Sequence, residues 1–417
     1  MHDGFIHTGE LLLPASGVDP TLWACVACDQ YTSQPEYWRQ ADALVREAPS
    51  ALRLILPETE LDRAATRVPD IHSAMRHYLA KGVLTPGVTD GFILTERTTE
   101  SGVRVGLVVL VDLEGYDYHV GSHTPVRATE GTILERIPPR LAVRRGAALE
   151  LSHVLMLVDD PARTVVEPVY AKREQLTKLY DFSLMQGGGH LRGYAVAQQA
   201  DLDAVFAALQ ALKAALHGDL LYAVGDGNHS LATAKAYWEE RKSAIAEAER
   251  ATHPARFAMV ELENIHCDAL VFEPIHRVLY GGDGKALIRD FEAYAAKAGW
   301  SLSPQENTQT FHVVDGEADT QVSVTGSPYP LAVGTLQVFL DDWLKAHPSA
   351  KLDYVHGDDT ARSLAKAEGT VAFLLPALDK GALFPAVEKL GALPRKTFSM
   401  GEAHEKRYYM EARKLEK

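Results

Sequence analysis

A short polar turn, Asp226 to Ser230, offers residue types that support chemistry. It reads Asp-Gly-Asn-His-Ser and follows the apolar run 220–224, so a carboxylate, an amide, an imidazole and a hydroxyl stand close together. A helical pattern over 231–250 begins directly after it. A strand that leads into a helix start presents unpaired backbone N–H groups and the positive end of the helix dipole. Because such junctions bind phosphate oxygens, the turn is predicted to be a phosphate-binding site.

The residues of this turn suggest separate roles in binding and in chemistry. Asp226 is a candidate Mg²⁺ ligand or proton acceptor, and His229 is a candidate for neutralising charge or moving a proton. The glycines permit close approach of a ligand, and the amide and hydroxyl side chains can bond phosphate oxygens. The predicted phosphate-binding residues are Gly225, Gly227, Asn228 and Ser230. A helix cap needs only one polar side chain, so a ligand site is favoured over capping, which stays the alternative.

The elements around the turn alternate between helix and strand patterns. Residues 201–217 carry apolar positions at helical spacing. The segments 91–96 and 105–113 predict a hairpin, and the segments 153–158 and 165–170 predict a second one. Helices mixed with hairpins favour an α+β fold over a doubly wound parallel sheet.

The length of the chain suggests two domains. It has 417 residues with 46% apolar content, which is enough for more than one core. The run GGDG at 281–284 interrupts the pattern of helices and strands, so we place a domain boundary there. We predict a nucleotide-binding core over 1–280 and a smaller C-terminal α+β domain over 281–417.

Composition excludes several classes of protein. A net charge of −14 argues against a nucleic-acid partner, because proteins bind nucleic-acid phosphates through clustered Lys and Arg residues. No apolar run reaches the ~20 residues of a membrane span, and the first residues are not expected to be a secretory signal. The three cysteines form no disulfide framework, which favours the cytoplasm. Cys25 and Cys28 have dithiol spacing but no partner pair for zinc, so a structural role is favoured.

Several segments resemble an uncharacterised bacterial family that carries Asp-Gly-His-His-Arg or Asp-Gly-Asn-His-Ser at this turn. They are YAVGDGNHSLATAKAYWEERK with FAMVELENIHCDALVFEPIHRVL after it, VACDQYTSQPEYW, TPVRATEGTILERIPPR, LYDFSLMQGGGHLRGY and LPRKTFSMGEAHEKRYYMEARKL, which cover most of the chain. The turn is also similar to that of a superfamily of ParB-type partition proteins, sulfiredoxin and archaeal free serine kinases. The resemblance implies a ParB/serine-kinase-like core that binds nucleotide phosphates through Asp226, Gly227 and His229.

Two positions depart from that superfamily. Asn228 stands where sulfiredoxin has its reactive cysteine, which excludes sulfiredoxin chemistry. Ser230 stands where most members have a phosphate-binding arginine, so another cation must replace it. The segment 127–145 has five arginines against two glutamates, and Arg127 and Arg136 are the candidate replacements, since a guanidinium suits bidentate phosphate contacts. A solvated basic face is the equal alternative.

The closing segment 394–417 is basic as well, with seven Lys and Arg against four Glu. We interpret it as a solvated basic face rather than as part of the site. His404 lies within it, but nothing in the spacing requires this histidine to reach the turn.

The leading hypothesis is a nucleotide-dependent phosphotransferase that acts on a small hydroxylated metabolite, using ATP, ADP or CTP together with Mg²⁺ at Asp226. By resemblance to the serine kinases, an early acid activates the substrate hydroxyl, and Asp29 and Glu130 are both candidates. The alternative is a nucleotide- or metabolite-binding regulatory module without significant turnover. The sequence is compatible with a homo-oligomer.

Overall fold

The structure is a computed structural model that describes residues 4–119, 121–302 and 308–416. It divides the chain into two compact units. The first unit runs to Val271 and includes the closing segment from Gly401, and the second is Phe272–Met400. Both combine sheets with helices, which confirms the α+β class. The boundary drawn at residue 281 differs from this division, because the strand that ends at Tyr280 pairs within the second unit.

The first unit is built around one large, mostly antiparallel sheet. Its strands up to Val271 are β1 Ile6–His7, β2 Gly9–Pro14, β3 Cys25–Val26, β4 Leu84–Thr99, β5 Gly102–Asp112, β6 Tyr116–Asp117, β7 Val126–Ala128, β8 Leu149–Leu151, β9 Leu155–Val158, β10 Thr177–Ser183, β11 His190–Val196, β12 Tyr222–Asp226 and β13 Phe257–Asn264. Its helices are α1 Pro20–Trp23, α2 Pro35–Val45, α3 Ala64–Ala80, α4 Ile137–Arg144, α5 Glu167–Ala171, α6 Gln199–Ala215, α7 Asn228–Lys242 and α8 Glu247–Arg250.

Strand β12 is an interior strand of this sheet. It pairs in parallel with β7, where Val224 lies opposite Ala128, and antiparallel with β9, where Val224 lies opposite Met156. Its side chains from Tyr222 to Val224 are fully buried, as expected for a strand covered on both faces. Helix α7 follows it and buries Leu231 and Trp238 in the same core. The predicted strand–turn–helix is therefore present and rigidly packed.

One predicted hairpin is confirmed and the other is wrong. β4 and β5 pair antiparallel, from Ile93 opposite Val108 to Thr99 opposite Gly102. The segment 165–170, however, leads into helix α5 instead of pairing with β9. The Asp160 carboxylate accepts the backbone N–H groups of Thr164 and Val165 at 2.5 and 2.8 Å, which turns the chain away from β9. A proline in the first turn then favours the helix.

The second unit is a separate α+β body with its own core. Its strands are β14 Phe272–Tyr280, β15 Gln309–Asp315, β16 Ala318–Val324, β17 Lys351–His356, β18 Thr370–Leu374 and β19 Phe398–Met400, and its helices are α9 Gly284–Lys297, α10 Ala332–Ala346, α11 Asp358–Leu364 and α12 Lys380–Leu390. The strands form a sheet in the order β16-β15-β18-β14-β17, with β19 beside β14. Phe291, Phe311 and Phe339 meet edge to face in its core.

The closing segment returns to the first unit as β20 Tyr408–Tyr409 and β21 Ala412–Lys414. β20 pairs with β3, and β21 lies between β2 and β8. Its basic residues Lys406, Arg407 and Arg413 are buried, so the interpretation of this part as a solvated face is wrong. Arg407 explains why, because its guanidinium pairs with Glu261 at 2.7 Å and with Glu411 at 2.6 Å. Lys417 lies outside the described residues.

Candidate functional site

The junction between β12 and α7 depends on Gly227. This residue has φ 80° and ψ 25°, and α7 begins directly after it at Asn228, three residues before the predicted start. A Cβ atom at Gly227 would lie 3.0 Å from the Cα of Val154. Both the left-handed backbone and the close approach of Val154, the residue before β9, therefore require glycine. Gly225 lies within β12, at a shift in its register with β9.

Three polar side-chain atoms at this junction are buried without a hydrogen-bond partner among the described residues. They are Asp226 Oδ2, Asn228 Oδ1 and Thr132 Oγ1. The other oxygen of Asp226 accepts the backbone N–H of Gly227 at 2.9 Å, which fixes the carboxylate against the turn. Buried polar groups in native proteins are nearly always paired, with water or a ligand where the chain offers no partner. The junction therefore has the unmet polar groups expected of a binding site.

A cation from the closing segment faces the junction. The ammonium of Lys406 lies 3.5 Å from Asp226 Oδ2, and the lysine side chain is only 9% exposed. Its neighbour Arg407 is held by two buried glutamates, so the backbone at this point is anchored. Sequence reasoning assigned Lys406 to a solvated face. Lys406 nevertheless places a positive charge beside Asp226.

The half-buried Asp29 and the buried His153 form a pair beside the same junction. The Asp29 Oδ2 atom lies 3.5 Å from His153 Nε2, and the Ser230 hydroxyl lies 3.3 Å from that nitrogen. The other ring nitrogen, Nδ1, is 2.7 Å from the hydroxyl of Tyr409. The structure thus places the predicted acid Asp29 near Ser230 of the turn. His153 and Tyr409 were missed, and the only sequence signal for His153 was a polar residue at the start of an apolar strand pattern.

The electrostatics of this pair favour its ionised form. Burial alone would raise the pKa of Asp29, but the imidazole of His153 outweighs it and holds the pKa well below its usual range, with Lys406 contributing. Burial would lower the pKa of His153, but the Asp29 carboxylate outweighs it, so the pKa of His153 is raised. Each of the two groups therefore stabilises the charged form of the other beside Ser230.

His229 holds the loop after β7 against the helix. Its Nε2 atom accepts the backbone N–H of Ile133 at 3.2 Å, so in the neutral ring the proton is on Nδ1. Thr129 donates its hydroxyl to the carbonyl of Val224 at 2.6 Å. Because Ala128 lies opposite Val224, the half-buried Glu130 follows β7 at the level where β12 ends. His229 is therefore placed to position the loop that carries Glu130.

The two arginines proposed as replacement cations are not brought to the junction. Arg127 is 1% exposed, and its guanidinium donates to the carbonyl of Thr124 at 2.8 Å and pairs with Asp219. Asp219 precedes β12, so this contact lies at the end of the strand opposite Asp226. Arg136 is exposed at the start of α4, and its side chain makes no hydrogen bond with the junction in the described part of the chain. Lys406, not these arginines, is the cation beside Asp226.

A cavity of about 130 Å³ adjoins the junction. His153, Ser230 and Tyr409 line it, as does Thr233 on the next turn of α7. The remaining wall is largely apolar and comes from the segments 54–61 and 143–151, together with Met75 and Leu415. Its other residues are Cys28, Arg140, Arg144 and Glu150. The junction therefore borders open space on the side of Ser230.

The residues at the junction fit magnesium only as an ion that arrives with phosphates. In the ranges that the structure describes, no group of three or more His, Cys, Asp or Glu could hold a metal ion. Magnesium commonly takes one or two carboxylates, with waters and substrate phosphates as its other ligands. Asp226 Oδ2, buried and without a hydrogen bond, suits such a single carboxylate ligand.

The cysteine pair has no reactive character. Cys25 and Cys28 are free thiols, and Cys25 is buried. Burial raises the pKa of Cys28 to about 12 and raises that of Cys25 above its ordinary value. Both thiols are therefore protonated at neutral pH, which agrees with a structural role.

Together, the fold and the junction define an α+β protein with a polar strand–glycine–helix turn packed into its core. The chain belongs to the family described as "Protein of unknown function (DUF1015)", whose profile matches residues 12–349. A search of curated proteins finds no match. Within the described ranges, no helix is long and apolar enough to cross a membrane.

Solved structures with a similar chain path have low scores. A free serine kinase mutant in complex with AMP is 13% identical, covers 74% of this chain and 92% of its own, and has a TM-score of 0.40. A conserved hypothetical protein from Pyrococcus furiosus is 11% identical, with coverages of 74% and 95% and a TM-score of 0.35. SbnI with a C-terminal truncation, from Staphylococcus aureus, is 11% identical, with coverages of 70% and 82% and a TM-score of 0.34.

Proposed function

We propose that this protein binds a nucleotide at the β12–α7 junction and transfers a phosphoryl group to the hydroxyl of a small metabolite. One observation carries the proposal. The buried ammonium of Lys406 faces the start of α7, where Asp226 and Asn228 have side-chain oxygens without hydrogen bonds. A helix start with a buried cation in front of it is suited to a phosphate group.

In the proposed complex, the phosphates lie between the first turn of α7 and Lys406. The backbone N–H of Asn228 and the Ser230 hydroxyl donate to phosphate oxygens. The ammonium of Lys406 leaves the carboxylate of Asp226 and pairs with the phosphate. The carboxylate of Asp226, released from Lys406, would hold the Mg²⁺ that accompanies the nucleotide. The ion would neutralise developing charge on the phosphates.

The proposed transfer forms one bond at the γ-phosphorus of ATP and breaks another. The acceptor oxygen forms a bond to the γ-phosphorus of ATP while the bond from that phosphorus to the β–γ bridging oxygen breaks. The bridging oxygen keeps the electron pair and leaves with ADP. The hydroxyl proton goes to the Asp29 carboxylate, with Glu130 as the alternative acceptor. Phosphoryl transfer depends mainly on positioning and electrostatics, so a weakly basic carboxylate is sufficient.

A second candidate is a nucleotide-binding regulatory module without significant turnover. The ion pair between Lys406 and Asp226 favours it, because the two residues belong to different segments of the first unit. A phosphate that draws Lys406 away from Asp226 would change how the closing segment is held. In this case binding, not chemistry, is the output.

Phosphorus NMR tests the proposal. The protein is incubated with Mg²⁺, a pool of hydroxylated metabolites and ATP, ADP or CTP in turn, beside the variants Asp226→Asn and Asp29→Asn. The matched control is Asp62→Asn, which makes the same change at an exposed position. A new phosphate ester that both site variants lose and the control keeps supports the enzyme. Saturable binding without an ester supports the regulatory module, and absence of nucleotide binding contradicts both.

A further inference from the structure

The cavity beside α7 has the size and walls of a small ligand site. Its volume is about 130 Å³, and most of its lining is aliphatic, including Leu54, Ile55, Leu149 and Val143. An apolar cavity of about 150 Å³ engineered into another protein binds benzene. The occupant that fits here is therefore an apolar group of about six carbon atoms.

Its wall also carries a buried positive charge. Arg144 lies 2.7 Å from one oxygen of Glu150, and Arg413 pairs with the other oxygen. The three side chains are 13%, 5% and 3% exposed for Arg144, Arg413 and Glu150. Two guanidinium groups thus share one carboxylate, which leaves a net charge of +1 away from water. Such an excess is costly unless an anion compensates it.

Arg144 is the member of this trio with donors to spare. Its Nε and Nη2 atoms are buried and have no hydrogen-bond partner in the part of the chain that the structure describes. The guanidinium of Arg413, in contrast, also donates to the carbonyls of Pro254 and Phe257. Arg144 and Glu150 line the cavity, whereas Arg413 does not. Because the two guanidinium groups already occupy both oxygens of Glu150, the two unbonded donors of Arg144 are the groups at this wall that can bind an anion.

We infer that this cavity binds a small carboxylate with an apolar body of about six carbons, its carboxylate interacting with Arg144. His153 and Ser230 line the same cavity, so a hydroxyl on this ligand would lie beside the phosphate-binding junction. As the acceptor of the proposed phosphoryl transfer, this ligand would be an apolar hydroxy acid. Its role as phosphoryl acceptor rests on the proposed function, whereas its binding does not.

Calorimetric titration without nucleotide tests the binding. The probes are acetate, butyrate and hexanoate, with 1-hexanol and hexylamine as neutral and cationic counterparts. Affinity is expected to rise about fourfold per methylene along the carboxylates. Hexanoate should bind at least about tenfold more tightly than 1-hexanol, because a charge-assisted hydrogen bond is added. Hexylamine should not bind.

Three variants locate the site. Arg144→Met should weaken hexanoate at least about tenfold while leaving 1-hexanol unchanged, because it removes only the charge. Arg413 still pairs with Glu150 in this variant, so no carboxylate is orphaned. Arg145→Met, the exposed neighbour whose partner is the surface residue Glu240, is the matched control and should bind like the wild type. Val143→Phe should fill the cavity and abolish binding of both probes.

Equal affinities for hexanoate and 1-hexanol, or hexanoate binding unaffected by Arg144→Met and Val143→Phe, would overturn the inference. If Arg144→Met does not fold, the comparison of probes on the wild type and the Val143→Phe variant still decides. ATP is titrated separately. If the wild-type protein binds ATP but not hexanoate, only this inference is removed. If it binds hexanoate but not ATP, only the proposed function is removed.

Discussion

Replacing Lys406 by methionine removes the cation that faces the β12–α7 junction and keeps most of the side-chain volume. In the free protein the Lys406 ammonium lies 3.5 Å from Asp226 Oδ2, longer than the 2.7–2.9 Å of a strong charge-assisted hydrogen bond. The lysine side chain is only 9% exposed in the free protein, so binding a phosphate requires little further loss of hydration. We therefore expect the ammonium to gain more from a phosphate than it loses by leaving the carboxylate.

The size of the effect follows from these contacts. A hydrogen bond to a charged group contributes about 1.5–3 kcal/mol, and 1.4 kcal/mol corresponds to a factor of ten. Loss of the old pair offsets part of this contribution, so we expect Lys406→Met to weaken ATP binding about 10- to 100-fold. The same variant leaves Asp226 without its cation, which should lower the free energy of unfolding by about 1–3 kcal/mol. Adding Asp226→Asn should recover most of the stability but not the affinity.

Calorimetric titration of ATP with Mg²⁺ measures the affinity, and urea denaturation measures the stability. Lys414→Met is the matched control, because it removes the same charge from the same segment at an exposed lysine paired with Glu10. This control should bind ATP like the wild type. A folded Lys406→Met protein with unchanged ATP affinity would refute the assignment of Lys406 as the phosphate-binding cation.

Three further predictions follow from the site. Gly227→Ala should lower the free energy of unfolding, measured by urea denaturation, by about 1 kcal/mol more than Gly82→Ala does. Both glycines have positive φ, but a Cβ atom would lie 3.0 Å from Val154 only at Gly227. Equal losses of stability would contradict the packing argument. Asp29→Asn should reduce turnover at least about 100-fold while ATP affinity stays within about threefold, measured by coupled ADP release, and unchanged turnover would point to Glu130. The pKa of His153 in the folded protein is raised above its ordinary 6.5, so this histidine stabilises the fold fully below about pH 6.5 and loses that effect as the pH rises through the folded pKa. His153→Gln should remove this decline in stability from unfolding curves recorded between about pH 5 and 9. An unchanged decline would contradict the prediction.

Local patterns were enough to predict the strand, turn and helix around Asp226. The apolar run before Asp226 and the glycine before a helical pattern specify a strand, a turn and a helix without reference to the rest of the chain. The β4–β5 hairpin was predictable for the same reason, since its strands are neighbours in sequence. The start of α7 was placed too late because Asn228, His229 and Ser230 are polar, although they form its first turn.

The partners of the turn could not be predicted, because they come from distant segments. Asp29, His153 and Lys406 converge on the junction only through the pairing of β3 with β20 and of β12 with β9. A single sequence carries the hydrophobic period of a strand but does not determine which strand pairs with it. Arg127 shows the converse, because the parallel pairing of β7 with β12 directs its guanidinium to Asp219 instead.

A crystal structure with a non-hydrolysable ATP analogue and Mg²⁺ tests the central claim most directly. The account predicts a phosphate oxygen about 3 Å from the backbone nitrogen of Asn228 and from the Lys406 ammonium, with the metal ion on Asp226. A nucleotide bound elsewhere, with Lys406 still on Asp226 and no phosphate at the start of α7, would contradict it.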